Sequence, residues 1–221
     1  MLRLCIFDLD GTLINSLNDL AAAMNHALAE NGLEVYAPEK YRLMVGSGIS
    51  VLADRAMGKA AGDAALKDSV LADFSRYYTD HCLDLTQPYP DIPQLLSELR
   101  QNNIMFAVNS NKPEPFSRMI IESLFPGTYF AAIVGKRDDI RRKPAPDGVL
   151  EIISKTGVTK DECIYIGDSN VDAFTAQNSG IAFCGVSWGF RSSEELRAAG
   201  AGFIADAPAD ILTYIKTLSG I

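Results

Sequence analysis

The chain has 221 residues, 48% of them apolar, with 20 Lys and Arg against 28 Asp and Glu and a net charge of −8. That length allows one large domain, or one domain plus a small second one, with a core large enough to need no disulfide or metal staple. The acidic balance offers no footprint for nucleic acid or an anionic membrane surface, and no apolar run reaches the ~20 residues of a membrane span.

The first apolar run, Leu4–Phe7, has strand length and leads directly into acidic residues. It is too short for a signal peptide, so a cytoplasmic location is expected. Leu17, Leu20, Met24 and Leu28 then share one helical face, with Gly32 as the stop signal. Residues 38–45 and 51–57 read as short helical pieces on either side of the turn Gly46-Ser47-Gly48. A longer helix carries Leu66, Val70, Phe74 and Tyr77. From residue 86 onward helices alternate with strands. Ile92, Leu95, Leu96 and Leu99 form one stripe, and Phe116, Met119, Ile120 and Leu124 another. Strands are predicted at 104–108, 131–134, 163–166 and Ala182–Val186.

This alternation predicts an α/β fold, a Rossmann-like parallel sheet covered on both faces. The core would comprise residues 1–15 and 86–221, interrupted by an all-helical insert over 16–85. Cys5, Cys82, Cys163 and Cys184 form no CxxC pair and read as buried, reduced thiols. His26 and His81 fall on insert helices, far from every motif, and read as structural.

Four places carry chemistry. Asp8-Leu9-Asp10-Gly11-Thr12 follows the first strand, where residues two apart can place both carboxylates in one crevice at the carboxyl edge of the sheet. Alone it is also a common Asp-Gly turn. Gly167-Asp168-Ser169-Asn170-Val171-Asp172 follows the strand at 163–166, so a second apolar strand ends in paired acids. Adjacent tips would gather three or four carboxylates, which need a proton or a cation, and an oxygen-only shell suits Mg2+. Ser110, with Asn111 and Lys112, follows the strand at 104–108, where a hydroxyl at a strand-to-helix turn can hold a phosphate oxygen. Lys143 precedes Pro144-Ala145-Pro146, a stiff loop that presents a fixed cation, whereas Arg141 and Arg142 read as solvated surface.

Taken in this order, Asp-x-Asp-Gly-Thr, Ser, Lys-Pro and Gly-Asp-x-x-x-Asp, the chain resembles the haloacid-dehalogenase-like hydrolase superfamily. The helical insert looks like that superfamily's mobile cap. Within it the chain most resembles phosphoglycolate phosphatases, through residues 41–48, 143–147, 165–169 and 186–191. It departs from their pattern at Asn15, where Asp is usual, at Asn109-Ser110-Asn111-Lys112, where Val-Thr-Asn-Lys is commoner, and at Asp91, where Gly is usual.

The resemblance implies a Mg2+-dependent phosphatase acting on a small phosphomonoester through an aspartyl-phosphate. Asp8 would be the nucleophile and Asp10 the general acid and base. Ser110 and Asn111 would hold the phosphoryl group, and Lys143 would neutralise charge. Asp8, the backbone carbonyl of Asp10 and Asp168 would bind Mg2+, with Asp172 in support. The insert loop with Arg42, Gly46 and Ser47 would select the leaving group. Trp188 and Phe190 read as core or hinge packing. The implied partner is a small phosphorylated metabolite, with no nucleic acid or membrane, and the chain would be a monomer or homodimer. Alternatives are a sugar-phosphate mutase of the beta-phosphoglucomutase kind, a phosphatase for pyrophosphate or a nucleotide, and a phospho-aspartate signalling module.

Overall fold

Leu4–Phe7 has no polar side chain to solvate, and in the computed structural model, which describes residues 1–219, it forms a strand with all four side chains fully buried. In chain order the first elements are β1 (Leu4–Phe7), β2 (Ile14–Asn15), α1 (Leu17–Glu30), α2 (Pro38–Tyr41), α3 (Ile49–Met57), α4 (Ala64–His81), β3 (Gln87–Pro88) and α5 (Ile92–Gln101). They continue with β4 (Met105–Pro113), α6 (Glu114–Leu124), β5 (Ile133–Lys136), α7 (Asp147–Thr156), β6 (Cys163–Gly167) and α8 (Asn170–Ser179). The last are β7 (Ala182–Val186), α9 (Ser193–Ala198), β8 (Ile204–Ala205) and α10 (Pro208–Ser219). The chain divides into two units, Met1–Ile14 with Pro88–Ile221, and Asn15–Gln87.

The first unit is built on a six-stranded sheet of order β5-β4-β1-β6-β7-β8, with every neighbouring pair parallel. Parallel strands need crossover connections, and the intervening helices supply them. The α/β, Rossmann-like class expected from the alternation is therefore present. β1 lies between β4 and β6, with Phe7 opposite both Val108 and Ile166. The ends of these three strands consequently share one edge. Leu4, Ile6, Ala107, Val134, Val149, Ile152 and Tyr165 pack in a common core. Each fully buried aliphatic side chain there contributes roughly 1.5–3 kcal/mol.

Four details differ from the periodicity. β4 runs on to Pro113 with a register shift against β5 between Asn109 and Pro113, so Ser110 sits within the strand rather than in a turn after it. β5 starts at Ile133, two residues later than the apolar run suggests. Only Pro38–Tyr41 of the 38–45 segment is helical. On α6 the buried residues are Ser117, Ile120 and Ile121, a face rotated from the predicted stripe. Ser117 tolerates burial because its hydroxyl donates to the carbonyls of Lys112 and Pro113. α5, by contrast, buries Ile92, Leu95, Leu96 and Leu99 as its stripe predicts. Asp91, before α5, has φ +63, in the left-handed region that favours glycine.

The Asn15–Gln87 unit packs α1 and α3 against α4. α4 buries Val70, Phe74 and Tyr78. Tyr77, predicted for that face, instead stacks between His26 and His81. The buried Asp19 carboxylate, on α1, accepts from the amides of Leu85 and Thr86 and from the Thr86 hydroxyl at 2.6–3.1 Å, joining the start of this unit to its end. Arg55 of α3 donates to the carbonyl of Met44 at 2.7 Å and to the Ser47 hydroxyl at 3.4 Å, holding the segment that carries Gly46 and Ser47. Arg42 lies on the exposed surface after α2.

All four cysteines are buried. Burial raises the thiols of Cys5, Cys163 and Cys184, Cys163 to about 11 and Cys184 to about 12, so these three stay protonated. Among the described residues, no helix is long and apolar enough to cross a membrane.

Candidate active site

Where β1 ends, the Asp8 amide still bonds the Ile166 carbonyl at 2.9 Å, so Asp8 leaves the sheet with its position set by β6. Its carboxylate accepts from the Leu9 amide at 2.7 Å and lies 2.9 Å from the Lys143 ammonium. The chain then turns through Gly11, at φ +85, where an added Cβ would lie 2.5 Å from the Asp168 carboxylate. Only glycine satisfies both the left-handed backbone and that approach.

From the other side of β1, the strand end of β6 brings in the second pair of acids. Asp168 is held by two donors, the Thr12 hydroxyl at 3.2 Å on Oδ1 and the Phe190 amide at 2.7 Å on Oδ2. Asp172 forms a capping box with Ser169 at the start of α8. Its Oδ2 accepts from the Ser169 hydroxyl at 2.6 Å, and its Oδ1 lies 2.7 Å from Lys143. One carboxylate thus caps α8 and reaches the Lys143 ammonium.

Lys143 bridges Asp8 and Asp172 and also donates to the Tyr165 hydroxyl at 3.2 Å. Its backbone is tied to β4 by Asn111, whose Oδ1 accepts from the Lys143 amide at 2.9 Å. The Asn111 side chain thus positions the lysine loop. The Ser110 hydroxyl accepts from the Lys112 amide at 3.2 Å.

Asp10 behaves differently from its neighbours. Both its carboxylate oxygens meet the Lys112 ammonium, at 2.8 and 3.0 Å. The side chains that cluster are Asp8, Asp168 and Asp172, each with a carboxylate oxygen within 4.8 Å of the others. The Asp10 carboxylate is engaged by Lys112 and is not one of those three. Sequence reasoning missed Lys112 and Tyr165 as site residues. Lys112 stands two residues after Ser110, and that spacing on a strand was the available signal.

The cluster is electrostatically incomplete. Two unit charges 4.8 Å apart repel by roughly 3 kcal/mol at an effective dielectric near 20. Burial, and then the Asp172 carboxylate, push Asp8 well above the ordinary carboxylate range. The same two causes, in the same order, push Asp168 up to about 7. Burial would lower Lys143, but Asp172 and Asp8 outweigh it and keep the ammonium charged. One ammonium directly bridges two of these three buried acids. An oxygen-only donor set with surplus negative charge fits a hard divalent cation.

The family model described as haloacid dehalogenase-like hydrolase matches residues 5–186. Phosphoglycolate phosphatase of Pseudomonas putida is 34% identical over 208 residues, covering 92% of this chain and 76% of that protein. The Photorhabdus laumondii phosphoglycolate phosphatase is 30% identical, covering 97% and 92%. A crystal structure from Lactobacillus delbrueckii subsp. bulgaricus, described provisionally as a phosphoglycolate phosphatase, superposes with a TM-score of 0.88 at 37% identity, covering 95% and 96%. With the family model spanning most of its length and its acids gathered at the edge of a parallel sheet, the chain belongs to the haloacid dehalogenase-like hydrolase family.

Proposed function

We propose that this hydrolase is a Mg2+-dependent phosphatase that cleaves a small phosphomonoester through a phosphorylated Asp8. The observation carrying this is the Lys143 ammonium, set between Asp8 and Asp172 inside the three-acid cluster, with Asp10 held beside them by Lys112.

In the first step an Asp8 carboxylate oxygen forms a bond to phosphorus while the ester P–O bond breaks. Asp10 gives a proton to the departing alkoxide. In the second, water attacks the phosphorus, Asp10 takes its proton, and the bond to Asp8 breaks to release phosphate. A carboxylate nucleophile needs no base to activate it, but it must be ionised and must approach an anion. Lys143 and the Ser110 hydroxyl meet that need by placing positive charge and a donor where phosphoryl oxygens gather. Mg2+, held by Asp8, the Asp10 carbonyl and Asp168 with Asp172 in support, would supply the remaining charge that keeps Asp8 ionised. Lys112, on both Asp10 oxygens, fixes where the proton-transferring carboxyl sits. Arg42, Gly46 and Ser47 would choose the leaving group. The names of the relatives make 2-phosphoglycolate the first substrate to test, and a cytoplasmic location is part of the proposal.

The test is phosphate release from a panel of small phosphomonoesters, with and without Mg2+. Release that requires Mg2+ supports the proposal. Conversion of a sugar phosphate to its isomer without free phosphate would identify a mutase instead, and no turnover of any ester would contradict both.

A further inference from the structure

The segment after β7, Ser187-Trp188-Gly189-Phe190, has the composition of loop packing, yet its contacts converge on the candidate site. The Ser187 amide bonds the Ala205 carbonyl at 3.0 Å and its hydroxyl bonds Asp206 at 2.7 Å, anchoring the segment beside β8. The Trp188 indole N–H donates to the Thr12 carbonyl at 3.1 Å. The Phe190 amide donates to Asp168 Oδ2 at 2.7 Å in a buried contact. Between them lies Gly189, where an added Cβ would stand 2.5 Å from the Gly11 carbonyl and would also collide with the Asp168 side chain.

These contacts close a loop of constraints. Trp188 fixes the backbone of Thr12, the Thr12 hydroxyl fixes Asp168 Oδ1, and Phe190 fixes Asp168 Oδ2. An oxygen accepting one hydrogen bond keeps a second lone pair, so both oxygens stay able to bind a cation. We propose that Trp188, Gly189 and Phe190 are positioning residues that lock the Asp168 carboxylate in the orientation required for Mg2+. This rests on the Mg2+ site proposed above. Outer contacts of this kind commonly change metal affinity or activity by ~10–100-fold when removed.

The test is calorimetric titration of Mg2+ into metal-free full-length protein, for wild type, Gly189→Ala and Trp188→Phe, beside thermal melts and the Mg2+ dependence of phosphate release. Gly189→Ala is expected to weaken Mg2+ binding by ~10-fold or more. Trp188→Phe keeps an aromatic side chain but loses the indole N–H, and is expected to weaken it several-fold with only a small drop in melting temperature. Saturating Mg2+ should return kcat of Trp188→Phe to within about twofold of wild type, a rescue that a merely structural defect would not show. If Gly189→Ala does not fold, Trp188→Phe decides alone. Wild-type Mg2+ affinity in the folded variants would overturn the positioning role and leave the Mg2+ site standing. Failure of the wild type itself to bind Mg2+ would overturn both.

Discussion

Lys112 places its ammonium 2.8 and 3.0 Å from the two carboxylate oxygens of Asp10, joining positions 102 residues apart. The lysine is almost wholly buried, and only the parallel pairing of β1 with β4 brings the two together. Lys112→Met leaves Asp10 without this partner. A loss of about 3 kcal/mol in stability is expected from urea unfolding. Asp10→Asn in the same background should recover part of that loss. Phosphate release by Lys112→Met should fall by ~10²-fold, the lower end of what a positioned acid or base contributes.

Removing the cation should make stability depend on pH. Asp168 is raised by burial to about 7, and Asp8 is raised as well, so the metal-free native state binds protons that the unfolded chain has already lost. For a carboxyl raised on folding, this stabilisation is full below its unfolded value, near 4, and is lost as pH rises through its folded value. Metal-free protein should therefore melt at a lower temperature at pH 8 than at pH 5. Asp168→Asn should show a smaller decline. Addition of Mg2+ at pH 8 should restore the wild type and have little effect on Asp168→Asn.

In the Asn15–Gln87 unit, the Asp19 carboxylate is the acceptor for three donors from Leu85 and Thr86. Asp19→Ala would strand the buried Thr86 amide and hydroxyl and detach the end of the unit from α1. The expected cost is about 3 kcal/mol, read as a shift in the urea midpoint.

Asp91 occupies a left-handed conformation at φ +63. Its side chain makes no capping bond, so little is lost when it is replaced. Asp91→Gly should match or exceed wild-type thermal stability. Asp91→Val should cost roughly 1–2 kcal/mol, because a β-branched residue pays the full steric penalty there.

What was legible in the sequence was local. Asp8 and Asp10 are two apart after an apolar run, Asp168 follows another, and both runs are continuous because a parallel sheet is buried on both faces. The burial of Ile92, Leu95, Leu96 and Leu99 follows from helical spacing alone. What was hidden depended on strand order. Nothing in the run Asn109-Ser110-Asn111-Lys112 says that its lysine meets Asp10, nor that Tyr165 reaches Lys143. Periodicity misplaces the α6 face because it counts apolar residues, whereas Ser117 is buried through hydrogen bonds to the end of β4. Trp188 and Phe190 were read as packing because an amide and an indole N–H carry no signature of their target.

The central claim is that the Asp8 carboxylate takes up the phosphoryl group. Rapid acid quenching during turnover of a phosphorus-labelled monoester, followed by peptide mapping, tests it most directly. Label on the peptide containing Asp8, appearing and decaying at rates consistent with kcat and absent in Asp8→Asn, is the predicted result. Steady phosphate release with no labelled protein, or an active Asp8→Asn enzyme, would contradict it.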